Sequence, residues 1–139
     1  KNLECYSCSR ERRSLLFNAA RELGYDTMAF GHHKDDNAQT VLMNLLHKGE
    51  FAGNLPKLTM HHYGITIIRP LILIGEEEIR TFSEQHGFAR ITCQCPVGQV
   101  SKRRDTQKLI ERLEQVFPNA RNNLASASLL YGSSKASSA

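Results

Sequence analysis

The chain has no glycine-rich phosphate loop. Its nine glycines are scattered through 139 residues, with no GxGxxG, no GxxxxGK(S/T) and no SGG among them. Any element that cradles nucleotide phosphates with consecutive backbone N–H groups is therefore expected outside this chain. Long hydrophobic runs are missing too. The richest stretch, ITIIRPLILI, contains Arg69 and Pro70 and falls far short of the roughly 20 residues that span a bilayer. The first residues, KNLECYSCSRERR, lack the apolar centre of a secretory signal. Cytoplasm is the expected compartment, with no membrane partner. There is no internal repeat, and the only low-complexity segment, the tail GSSKASSA, reads as a disordered end.

What is present suits one domain with a real core, near the small end for an α/β protein. The composition is 40% hydrophobic and 23% charged, ordinary for a folded soluble chain. Helical periodicity marks Ser9 to Leu23 (Leu16, Ala20 and Leu23 on one face, Leu15 and Ala19 beside them), stopped by Gly24. TMAFG reads as a short buried strand. Asp36 to His47 is helical, with Val41, Leu42, Leu45 and Leu46 apolar and Gly49 behind it. A loop through Gly53, Pro56 and His61-His62 then leads to the strand ITIIRPL. Glu76 to His86 forms a third helix with Ile79 and Phe82 inward, and FARIT is a further strand. Ser101 caps a basic amphipathic helix carrying Leu109, Ile110, Leu113 and Val116, and Pro118 starts a last one. Helices alternating with strands predict a parallel sheet with helices packed on it. Only about three strands are visible, fewer than a doubly wound sheet normally has, so the α/β unit looks incomplete.

The net charge is +4 and the excess is local. Lys102, Arg103, Arg104, Lys108, Arg112 and Arg121 face only Asp105, Glu111 and Glu114 over the same stretch, a basic stripe that suits RNA as well as it suits a solvated helix face. In GHHKDDNAQT, Gly31 to Thr40, a strand hands over to a helix, where α/β sheets place ligand groups. Asp35 and Asp36 fall in the first helical turn, where a carboxylate caps free N–H groups. Two acids beside two histidines exceed what capping requires, and a carboxylate pair can hold Mg²⁺ or move protons. Of His32 and His33, at most one is expected to face the site, because side chains alternate along a strand end. Cys5 and Cys8 form a CxxC and Cys93 and Cys95 a CxC. In a chain without secretory signals, such pairs point to metal or redox chemistry. Four converging thiolates fit zinc and three fit an iron–sulfur cluster with one open iron. Arg10, Arg12 and Arg13 follow at once, and Arg12 lies one helical turn from Cys8.

These segments resemble a known family. CYSCSRERR, AFGHHKDDNAQTVLMNLLHKGEFAGNLP, IIRPLILIGEEEIRTF and CQCPVGQ with its basic helix occur in the order seen in the tRNA 2-thiolation branch of the PP-loop ATPases. They are most similar to the tRNA-cytidine 2-sulfurtransferase group, from about Leu3 to about Leu124. The resemblance implies a partial adenine nucleotide α-hydrolase-like (Rossmann-like) parallel sheet with flanking helices. Residues 1–97 would be the C-terminal portion of that α/β domain, 98–131 a basic helical extension and 132–139 a disordered tail. It further implies ATP- and Mg²⁺-dependent adenylation of the C2 oxygen of a tRNA pyrimidine, followed by sulfur transfer through a [4Fe–4S] cluster. Cys5, Cys8 and Cys95 are the implied ligands, with Cys93 as the alternative third. His32 and Asp36 are implied at the nucleotide, Asp35, Asp36 and Arg12 in catalysis, and Lys102, Arg103, Arg104 and Lys108 on the RNA. The implied partners are tRNA, a sulfur donor such as a cysteine desulfurase and an N-terminal ATP-binding half, with a homodimer as one possible assembly.

The family's SGGxDS loop lies upstream of CxxC, and Lys1 is not an initiator methionine. The chain is therefore expected to be a fragment that does not thiolate RNA alone. The rival readings are a tRNA 2-thiouridine synthetase relative and a non-catalytic Cys₄ zinc-stabilised RNA-binding module.

Overall fold

A computed structural model of the chain describes residues 5–89, 95 and 102–132, with side chains from residue 6 onward. The first helix, α1 (Cys5–Glu22), starts four residues earlier than the periodicity suggests, so Cys8 lies inside it rather than ahead of it. After a turn at Gly24 the chain enters β1 (Thr27–Ala29), then α2 (Lys34–Lys48). The hairpin β2 (Lys57–Met60) and β3 (Ile65–Ile68) follows, then α3 (Glu76–Gln85). Two further helices, α4 (Lys102–Val116) and α5 (Ala120–Leu130), complete the described part.

The sheet order is β1-β3-β2. β1 and β3 pair in parallel, with Met28 opposite Ile67, as an α/β reading requires. β2 pairs antiparallel with β3 and comes from a segment whose Gly53, Pro56 and paired histidines read as loop. KLTM is too short for its alternation to register, and only its cross-strand pairing with ITII makes it a strand. The strand expected at FARIT has residues 90–92 outside the described set.

Two small cores hold the elements. On one face of the sheet, Phe17 of α1 packs over Ile65 and Ile67, with Ala20, Met28, Phe30, Met60 and Tyr63 around it. Ile65 and Ile67 alternate with half-buried Thr66 and Ile68 along β3, the period-two pattern of a strand covered on one side. The covered face of α1 is thus the one bearing Phe17 and Ala20. Leu15, Leu16 and Leu23, expected inward from their spacing, are 65%, 43% and 74% exposed. Burying a phenylalanine contributes about 2–3 kcal/mol, so a single aromatic anchors α1 where three leucines were expected to.

The second core joins α2 to the C-terminal helices through Ala38, Leu42, Ile110 and Ala125, with Leu113 and Leu124 at its rim. The small residues Ala38 and Ala125 let α2 and α5 approach closely. Asn37, fully buried in this seam, donates from Nδ2 to the Ala125 carbonyl (2.8 Å) and to Ser128 Oγ (3.1 Å). Its Oδ1 accepts the Asn54 N–H at 2.7 Å. The basic helical extension therefore shares a core with the α/β unit, while the boundary read at residue 97 lies outside the described residues.

Gly49 closes α2 in the left-handed conformation (φ 64°), its N–H reaching the Leu45 carbonyl, as the sequence predicts. Gly53 is needed for space. A Cβ there would sit 2.5 Å from both Asn37 Oδ1 and Ser128 Oγ. α3 has no buried residue; Phe82, expected inward, is 54% exposed and stacks on His86 with ring centroids 4.0 Å apart.

Candidate functional site

The groups singled out around GHHKDDNAQT gather beyond the carboxyl ends of β1 and β3, where the chain leaves each strand carrying polar side chains. His33 is the N-cap of α2. Its Nδ1 accepts the Asp36 N–H at 3.3 Å, and Asp36 Oδ2 accepts the His33 N–H at 3.0 Å. This reciprocal pair, with histidine where Ser or Thr is usual, fixes the start of the helix.

His32 points elsewhere. Its ring meets Phe30 edge-on, centroids 5.7 Å apart, and its Nδ1 accepts from Arg69 Nε at 3.2 Å. Burial first, then the Arg69 charge, lowers its pKa below the ordinary 6.5. An imidazole whose Nδ1 accepts a hydrogen bond is neutral and carries its proton on Nε2. His32 is thus a fixed donor at neutral pH.

The two aspartates have different surroundings. Asp35 is 6% exposed and both its oxygens are engaged. Oδ1 accepts from Arg121 of α5 at 2.7 Å, and Oδ2 accepts the Glu76 N–H that opens α3 at 2.7 Å. Burial opposes its ionisation, but the Glu76 N–H bond and Arg121 outweigh that and hold its pKa below the ordinary carboxylate value. Asp35 therefore ties the starts of α2 and α3 to α5. Asp36 is more open, its side chain 25% exposed, and Arg103 of α4 lies 3.9 Å from its Oδ1. Arg103 also donates to the Asp36 carbonyl (3.4 Å), Gln39 Oε1 (3.2 Å) and Thr40 Oγ1 (3.4 Å).

Of the basic stripe, Lys102, Arg104 and Lys108 are exposed on α4 with Arg103, and Arg103 reaches across to Gln39 of α2. Arg121, read as part of that stripe, is drawn inward instead, bonded to Asp35, Glu114 and Gln107. Arg12 is exposed on α1, one turn past Cys8 and about 140° around the helix from Phe17. Arg13, one turn before Phe17, lies on the sheet side and acts electrostatically on both His32 and Arg69.

Cys8 is exposed and Cys95 half-buried, and both are free thiols, as metal ligands must be. Among the described residues, no three His, Cys, Asp or Glu side chains are arranged to hold a metal ion. The Cys5 side chain and Cys93 are outside that set. A 370 Å³ apolar groove between α2, α4 and α5, lined by Val41, Phe51, Leu113, Phe117 and Leu124, contains none of these polar groups. Chemistry and apolar cavity lie apart, and the polar end of the sheet is the better candidate because it carries the ionisable residues.

Sequence reading missed Arg69 and the inward turn of Arg121, and it placed Arg13 with Arg10 and Arg12 beside Cys8 rather than on the sheet side. Arg69 carried a usable signal, since an arginine inside an apolar run is rarely there for solvation.

The PP-loop domain family matches residues 3–92. The tRNA-cytidine(32) 2-sulfurtransferase of Syntrophotalea carbinolica is 35% identical over 125 residues, which make up 88% of this chain and 48% of that protein. The enzyme of the same name from Sorangium cellulosum is 36% identical over 124 residues, 88% of this chain and 44% of that one. The U34-tRNA thiolase NcsA from Methanococcus maripaludis, solved with its [4Fe-4S] cluster, superposes with a TM-score of 0.73 at 26% identity. That match covers 91% of this chain and 43% of the thiolase. The chain thus spans about half the length of the curated relatives it matches.

Proposed function

The chain belongs to the PP-loop domain family, and from that premise we propose that it is the C-terminal part of an ATP-dependent tRNA thiolation enzyme acting on cytidine. The observation that carries this reading is the gathering of neutral His32, open Asp36 and the arginines Arg69 and Arg103 at the carboxyl end of the parallel strands, within a chain 35% identical to tRNA-cytidine(32) 2-sulfurtransferases.

In the proposed reaction the pyrimidine C2 oxygen attacks the α-phosphate of ATP and pyrophosphate leaves. Sulfur then adds at C2 and AMP departs with the oxygen. This chain's share is to hold charge at that centre. Asp36 would face the nucleotide and its Mg²⁺, and the His32 Nε2–H would donate to a phosphate or leaving oxygen. Asp35, engaged by Arg121 and Glu76, acts by fixing the helix that carries Asp36. Cys5, Cys8 and Cys95 would hold the [4Fe–4S] cluster, which would supply a soft binding site for the sulfur. The free Cys8 and Cys95 thiols fit that soft donor set. Arg12 supplies positive charge beside Cys8, and the exposed Lys102, Arg103, Arg104 and Lys108 supply it along the tRNA backbone. The remaining partners are an N-terminal segment carrying the phosphate loop and a sulfide-delivering protein.

The test is anaerobic reconstitution of the chain with iron and sulfide, scored by metal content. About four irons per chain, lost on Cys95→Ala, is the expected result. A colourless protein that takes up one zinc through all four cysteines would favour the non-catalytic RNA-binding module instead.

A further inference from the structure

The helical extension holds the two adjacent aspartates of α2 with two arginines, and it holds them differently. Arg121 of α5 is mostly buried and bonds Asp35 Oδ1 at 2.7 Å, with Glu114 and Gln107 as its other partners. Arg103 of α4 keeps 47% of its side chain exposed. Its terminal nitrogens donate to the Asp36 carbonyl at 3.4 Å, Gln39 Oε1 at 3.2 Å and Thr40 Oγ1 at 3.4 Å. All three acceptors are neutral, and all three bonds lie at or beyond the long end of the usual N–H···O range. The Asp36 carboxylate itself is 3.9 Å away. A guanidinium half in water, resting on neutral acceptors, exchanges readily for an anion that offers short charge-assisted bonds.

Its place on α4 puts such an anion within reach. Arg103 begins a row continued by Thr106, Ile110 and Leu113, at the alternating spacing of three and four that keeps residues on one helix face. Thr106 and Ile110 are buried, and Ile110 packs with Ala38 and Leu42 of α2. Arg103 is thus the solvent-exposed end of the face that meets α2. Lys102 and Arg104 flank it and Lys108 follows, all exposed. The first turn of α4 carries these three consecutive cations against the single acid Asp105. The N-terminal end of a helix disfavours cations and favours anions, so a phosphate bound there relieves repulsion.

We propose that Arg103 is a positioning residue that couples RNA bound along α4 to the state of Asp36, by exchanging its bonds on α2 for an RNA phosphate. With RNA absent, the guanidinium stands beside Asp36 Oδ1 and offsets its charge. With RNA bound, it turns to the phosphate, and Asp36 presents its full negative charge to a cation. The carboxylate is then most effective when the RNA to be modified is in place. Linkage makes the effect reciprocal, so weakening the hold of α2 on Arg103 must also tighten RNA binding. The inference rests on the proposed function for RNA as the ligand of α4 and for a cation at Asp36.

The experiment titrates the chain with a short RNA stem-loop. Affinity is followed by fluorescence anisotropy, and the Asn37 amide nitrogen by NMR, because that nitrogen shares a peptide group with the carbonyl that Arg103 holds. RNA should shift the Asn37 resonance in the parent, and Arg103→Gln without RNA should shift it the same way. Arg103→Gln should also weaken RNA binding and lower its salt slope by about one. Asp36→Asn should tighten RNA binding by about three- to fivefold. Removing any carboxylate near RNA favours binding, so Asp105→Asn, in the same turn of α4 as Arg103, is the control. Arg103→Gln should cancel the gain from Asp36→Asn and leave the gain from Asp105→Asn intact.

RNA binding that leaves the Asn37 resonance unmoved, or gains from both aspartate variants that survive Arg103→Gln alike, overturns the coupling. Arg103 belongs to neither core, so Arg103→Gln with the Asn37 readout remains decisive if Asp36→Asn does not fold. The functional reading fails separately. A parent chain that binds no RNA removes the RNA stripe and the coupling with it. RNA binding with the expected dependence on Arg103, in a chain that assembles no iron cluster, leaves the coupling standing and removes the thiolation assignment.

Discussion

Replacing Arg121 with methionine removes the one side chain that joins Asp35, Glu114 and Gln107 across three helices. Breaking a buried ion pair by deleting one partner costs about 3–5 kcal/mol, because the other charge stays buried alone. Two features reduce the figure here. Asp35 keeps its bond from the Glu76 N–H, and the side chains of Arg121 and Glu114 are 19% and 32% exposed, so water reaches part of the network. The expected loss is about 2–3 kcal/mol, or roughly 8–12 °C in melting temperature for a domain of this size. Urea denaturation at pH 7 measures it, with Asp35→Asn and the double variant completing a cycle whose coupling should exceed about 1 kcal/mol. The pH dependence supplies a second arm. The folded-state pKa of Asp35 is depressed below 3.8, so its contribution is fully present above the unfolded value and is lost as pH falls through the lower folded one. The stability gap between the parent and Asp35→Asn should therefore close below about pH 4. An Arg121→Met variant within about 0.5 kcal/mol of the parent, or single effects that simply add, would refute the reasoning.

Three other outcomes are expected. Gly53→Ala should lose about 1–3 kcal/mol, since its Cβ would collide with Asn37 and Ser128; an unchanged denaturation midpoint would show that the seam has room. Phe17→Ala should cost about 3–4 kcal/mol and Leu16→Ala under about 1, given 3% and 43% exposure; equal losses in the same assay would mean that α1 rests on a different face. The His32 imidazole, followed by proton NMR, should titrate below the ordinary 6.5 and move upward in Arg69→Met, where the second-largest cause of the depression is gone. A titration at or above 6.5 in the parent would contradict its burial against Phe30 and Arg69.

The amino-acid sequence by itself determined a good deal about this protein. Periodicity located the helices within a few residues, because a 3.6-residue repeat over ten or more positions is a local signal. Gly49 marked the end of α2, and the parallel β1–β3 pair followed from strands separated by a helix. The order of the cysteine, histidine and aspartate motifs, a property of the string, sufficed to suggest the PP-loop family that the comparisons then matched over residues 3–92.

The tertiary structure alone decided which of several equivalent residues does which task. Leu15, Leu16 and Leu23 have the spacing of a buried stripe, yet the sheet meets α1 at Phe17, and no local rule chooses between two apolar faces. Asp35 and Asp36 are adjacent and chemically alike. One is locked by Arg121, 86 residues away, and the other opens beside Arg103, 67 residues away. The division between Arg12 and Arg13 has the same origin. One residue is a turn of about 100° around a helix, enough to carry a guanidinium from the Cys8 side of α1 to the sheet side, from which its charge acts on Arg69 and His32. Long-range packing sets these orientations, and it depends on distant residues that no window of the sequence contains.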